Sequence, residues 1–170
     1  MTDEADYNDP DHCTVGVIGE VGHRLFLFYC RQGLTETTVK VEKQQIAVLA
    51  SYLGRIVKEL GRPGHLPDDL SFDGTEDPEW VVGTIGVSYD EELDRVVVVL
   101  EEVHDEEEEE EAESGHVLRI ALTREQAAAF AIHATRLVEA GRPPCPLCGL
   151  PLDPTGHDCP RTNGHRPPVT

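Results

Sequence analysis

The sequence predicts an α+β fold in which a β-β-β-α unit is written twice, followed by a C-terminal zinc knuckle. Three observations predict it: two helix-period segments that both close on Gly-Arg-Pro, three short β-branched runs ahead of each, and a Cys-x2-Cys pair in the tail. With 170 residues the chain has room for one compact domain and a short appendage, since single cores run to about 100–150 residues.

Residues 1–12 read as a disordered acidic leader that lacks the basic and apolar stretches of a secretory signal. The duplicated domain is placed at 13–143, with copy one at 14–63. TVGVIG (14–19), RLFLFYC (24–30) and TTVKVE (37–42) are short, β-branched or aromatic and set off by glycine-containing turns, which is a strand and hairpin pattern. A helix follows from about Lys43. Glu42 and Gln45 hold the spacing of a capping box, and Ile46, Leu49, Leu53, Ile56 and Leu60 recur at steps of three and four along one face. Gly61 and Pro63 end it.

Copy two, at 81–143, repeats the order with VVGTIGV (81–87), RVVVVLEEV (95–103), HVLRIAL (116–122) and a helix from about Arg124. Thr123 and Gln126 are its capping box, and Gly141 and Pro143 its stop. Val15 matches Val82 and Gln45 matches Gln126, so the offset grows from 67 to 81 residues. Six antiparallel strands in one continuous sheet, covered on one face by two helices about a pseudo-twofold axis, are the expectation. Leu49 and Phe130 should then be buried at equivalent places, and Arg55 and Arg136 should share the polar margin.

The acidic loop at 104–115 falls inside a hairpin of copy two and contains six consecutive glutamates. Like charges in a block repel and bury no apolar area, so a solvated loop is expected. Calcium loops need spaced oxygen ligands and an internal glycine turn, which this run lacks. Eight acids lie between positions 105 and 113, and the rest of the chain still carries −11 of the total −19. Such a surface does not neutralise phosphates, which argues against nucleic acid as a partner. The longest apolar runs, 25–30 and 96–100, are far shorter than the ~20 residues of a membrane span. A cytoplasmic protein with reduced thiols is the expectation.

The segment 144–166 carries definite chemistry: Cys145-x2-Cys148, then His157-x-Cys159, with His165 six residues beyond. A two-residue gap lets both thiolates face one ion, and zinc takes four such ligands tetrahedrally. Pro146, Gly149 and Pro151 forbid the helix that a redox Cys-x-x-Cys normally opens. Zn2+ held by Cys145, Cys148, His157 and Cys159 is therefore expected, with His165 as the alternative fourth ligand. Residues 167–170 are a short tail. His104-Asp105-Glu106 with the later Pro-Cys-Pro-Leu-Cys spells the deaminase pattern, but one half lies in a charge run and the other in a Pro/Gly coil. Cys30 reads as a small core residue, Cys13 as part of the leader. His12, His23, His65, His116 and His133 form no triad spacing.

With the EKQQIAVLASYLGRIVKEL helix, the VGVIG and VVGTIGV strands and the terminal CPLCGLPLDPTGHDCPRTNGHR, the chain resembles the DUF3090 family of actinobacterial proteins over residues 12–166. The cysteine-rich tail is the most specific part. The resemblance implies a cytoplasmic protein of unknown function whose gene neighbours include a histidine-phosphatase-like and a phosphoinositide-kinase-like protein. It carries over no catalytic residue. The reading that follows is a non-enzymatic interaction or regulatory module with a protein partner. A metal-dependent or small-ligand enzyme with a site between the two copies is the alternative, and coordination separates them: four protein ligands make a structural zinc, three plus water a catalytic one.

Overall fold

A computed structural model of the chain describes residues 3–20, 23–61, 63–104, 115–140 and 146–147. Its elements are β1 (Asp3–Tyr7), β2 (His12–Ile18), β3 (Leu25–Gln32), β4 (Thr35–Val41), α1 (Lys43–Leu60), β5 (Val82–Asp90), β6 (Arg95–Glu102), β7 (His116–Leu122) and α2 (Arg124–Glu139). The class is α+β: the second half runs strand, strand, strand, helix, and the first runs the same way after a leading strand, β1.

Three corrections follow. One continuous sheet was expected; the strands form two, ordered β1-β7-β6-β5 and β2-β3-β4. They meet at a single parallel bridge between Lys40 and Val81. There Lys40 N–H donates to Trp80 O at 2.9 Å, while Val103 N–H donates to Val81 O at 2.8 Å, so residues 80–81 splice one sheet to the other. A register shift between Val82 and Thr84 then interrupts the ladder, and bulges of this kind bend and twist a strand.

The second correction is the leader. Residues 3–7 form β1, which pairs parallel with β7 from Asp3↔His116 to Tyr7↔Ile120, so the sheet is not wholly antiparallel. Tyr7 explains why: it is buried in the core, and its hydroxyl shares a 2.7 Å hydrogen bond with Thr37 Oγ1 on β4. Burial pushes the Tyr7 hydroxyl pKa up. Third, α1 buries Ile46, Leu49, Ala50, Leu53 and Val57, whereas Ile56 and Leu60 are only partly covered. Leu49 and Phe130 are both buried, and Arg55 and Arg136 both exposed.

The run Phe26, Leu27, Phe28, Tyr29, Cys30 is buried without alternation, which is how a strand covered on both faces reads. Phe28 and Cys30 face the common core, where Phe28 meets Phe130 at 5.4 Å between ring centroids. The other face lies under the segment linking the two halves. Thr14 donates to Leu70 O at 2.6 Å, His12 Nε2 donates to Ser71 O at 2.7 Å, and Phe72 packs edge-on to Tyr29. Gly16 permits this cover, because a Cβ there would collide with the Phe72 ring.

Both capping glutamines act as the spacing predicts. Gln45 Oε1 accepts Glu42 N–H at 2.9 Å; Gln126 Oε1 accepts Thr123 N–H at 3.0 Å and Thr123 Oγ1 accepts Gln126 N–H at 3.0 Å. Gly61 follows α1 at φ 99°, a left-handed value that suits glycine. Gly141 lies outside the described residues.

Candidate functional site

Cys145, Cys148, His157, Cys159 and His165 lie outside the described residues, as does the acidic run 105–114. Among the described residues no group of three His, Cys, Asp or Glu side chains gathers as a metal site. Three of the described histidines sit in structural pairings. His12 and His133 bond backbone carbonyls, Ser71 O and Val15 O. His116 Nδ1 donates to Glu102 Oε2 at 2.7 Å and its ring stacks on Trp80. The hydrogen bond from His116 holds the Glu102 carboxyl below the usual carboxylate range.

The expected site between the helices is shallow, because Ala50, Gly54 and Ala131 let α1 and α2 approach; the crevice of about 420 Å³ has Arg136 as its charged rim group. The larger opening lies elsewhere. A groove of about 630 Å³ runs between α1 and β5. Leu49, Ile85 and Val87 line it from the core side, and Val48 and Tyr52 stand over it at 51% and 50% exposure. The Arg55 guanidinium sits 5.6 Å from the Tyr52 ring centroid. At one end Gln45 Nε2 reaches Val82 O at 3.3 Å and Gly83 O at 3.2 Å, pinning the helix to the strand.

β5 is the edge of its sheet: it pairs with β6, and on its other side only the bridge at Val81 precedes it among the described residues. From Thr84 to Asp90 the edge has no Lys, Arg or Pro and only a terminal acid. Those are the residues by which exposed edges are usually blunted. An open strand edge beside an apolar groove presents backbone donors and acceptors next to pockets for alternate side chains. The family described as "Protein of unknown function (DUF3090)" matches residues 5–159. The chain belongs to the DUF3090 family. The DUF3090 match begins within β1, takes in Cys145, Cys148, His157 and Cys159, and ends before His165. No curated protein and no solved structure matches the chain. No helix among the described residues is long and apolar enough to cross a membrane.

The sequence reading missed this groove because it depends on which strand becomes an edge, which periodicity does not encode. The available signal was composition: VGTIGVSY is apolar and uncharged in a chain of net charge −19.

Proposed function

We propose that this DUF3090 protein is a non-enzymatic cytoplasmic interaction module that takes an extended, basic segment of a partner protein as an added strand along β5. The carrying observation is the open β5 edge beside the apolar α1 groove. Charge selects the occupant: Glu42 rims the groove, and Asp90, Glu91 and Glu92 stand at the far end of the β5 edge in sequence. A second copy of a chain carrying −19 would be repelled.

An internal duplication underlies this reading. α1 lies along β5 and α2 along β2, so each helix attends the strand that opens the other copy. The offset that pairs Gln45 with Gln126 also pairs Tyr52 with His133. His133 Nε2 closes on Val15 O at 3.0 Å, whereas on the α1 side Gln45 takes Val82 O and Tyr52 stays half-exposed over the groove. One half keeps as a site what the other half fills.

Selection of random peptides on the full chain tests the docking. Alternating apolar and Lys/Arg peptides are expected, with slowed amide exchange in β5. Their affinity should fall about tenfold, ~1.4 kcal/mol, on Val48→Glu; peptides that bind V48E equally well would end the groove reading. The tail is proposed as a structural zinc knuckle with Cys145, Cys148, His157 and Cys159 as its closed ligand set. About one zinc per chain is expected, lost on Cys148→Ser. Substoichiometric zinc in protein purified without chelators counts against the knuckle.

A further inference from the structure

We propose that Cys13 and Cys30 are a modification site: a disulfide that closes between β2 and β3 when the surrounding thiol pool is oxidised. Nothing in the docking reading is needed for it. The two residues are direct cross-strand partners in the antiparallel ladder, so their side chains project to the same face. Directly opposed Cα atoms stand about 4.5 or 5.5 Å apart, depending on the pair type, and both values fall within the 4.4–6.8 Å that a disulfide spans. Register alone therefore brings the sulfurs together.

Their surroundings favour the bridge over the ion. Cys13 is 4% and Cys30 0% exposed, in the core with Val15 and Phe28. Burial, and then the neighbouring Cys30 thiol, push the Cys13 thiol well up. A buried thiolate is penalised by desolvation, whereas a disulfide is uncharged and belongs among apolar side chains. The reaction starts from local opening at the entrance of β2, an edge strand in which Cys13 is the second residue. Cys13 then loses its proton and attacks one sulfur of a small disulfide RSSR, releasing RS−. Cys30 loses its proton and attacks Cys13 Sγ, displacing the second RS−. The two protons end on the two released thiols, so the protein dithiol and RSSR give the protein disulfide and two RSH. Closure ties β2, whose Val15 O receives His133 from α2, to the centre of its sheet.

Trypsin separates the two cysteines, since Arg24 and Arg31 place them in peptides 1–24 and 25–31. The full chain is treated with glutathione disulfide, the remaining thiols are alkylated, and the digest is weighed without reduction. A linked 1–24/25–31 species is expected, about 2 Da lighter than the sum of its thiol peptides and lost on adding dithiothreitol. It should persist when Cys145, Cys148 and Cys159 are all replaced by serine. In urea it should give way to mixed pairings. The thermal midpoint should rise by about 6–12 °C on oxidation, through a shorter unfolded loop, and not in Cys13→Ala. Linkage that forms in urea but not in the folded chain, at equal oxidant, would overturn the proposal; so would an oxidised chain that melts lower than the reduced one.

Discussion

Tyr7 and Thr37 show at the scale of single residues what the chain conceals. Their hydrogen bond joins positions 30 apart, wholly inside the core. Tyr7→Phe leaves the Thr37 hydroxyl buried without its partner, which costs about 1–3 kcal/mol. Urea or thermal unfolding should show that loss, and Tyr7→Phe with Thr37→Val should cost less than the two single changes added together. An additive double variant would mean that the contact contributes nothing. Nothing in DEADYNDPD announced this residue, because five acids among nine positions hide one aromatic in what reads as a solvated leader. Cys13 was hidden the same way. By contrast, Leu49 and Phe130 were legible, because helical spacing shows which side chains share a face.

Single elements were read best where a local rule governs them. The spacing of Thr123 and Gln126 announced a helix start, and that start is observed. The other end of the Gln126 side chain, donating to Pro10 O at 2.7 Å, depends on tertiary placement and has no sequence signature. Gln126→Ala should therefore cost more than the ~1 kcal/mol of an ordinary cap, and more than Gln45→Ala if the tie to Pro10 is the stronger. Between β6 and β7 the Glu102–His116 bond is sensitive to acid. The folded-state pKa of Glu102 lies below its ordinary value, so its contribution is fully present above about pH 5 and fades as pH falls through that lowered value. Stability against pH for Glu102→Gln should run parallel to the parent above pH ~5 and converge with it in acid. Curves that stay parallel throughout would remove Glu102 from the acid response.

Across the whole molecule, periodicity revealed two strand-rich halves each closed by a helix, but not their division into two sheets. The two sheets are joined by three backbone bonds at residues 79–81, a Pro- and Asp-flanked stretch with no strand signal of its own. The two insert regions should respond oppositely to deletion. Removing 105–113 should leave the thermal midpoint nearly unchanged, since loop length enters stability only logarithmically and Glu102 already holds His116 N–H at 3.0 Å. Removing residues 1–7 should lower it sharply by taking away β1 and Tyr7. Midpoints that move the other way round would mean that the acidic run, not the N-terminus, supports the fold.

The parallel pairing of β1 with β7 sets an order of events during synthesis. Asp3 meets His116, so the first strand made must wait for more than a hundred further residues, roughly 6–23 s at ordinary elongation rates. Thr37 follows Tyr7 by 30 residues, but for the rest of that interval β7 and α2 are not there to complete the core around it. The flanking acids leave that waiting strand charged and solvated, and in the finished protein Asp9 meets Arg95 at 3.2 Å while Asp11 Oδ2 accepts Gly33 N–H at 2.6 Å.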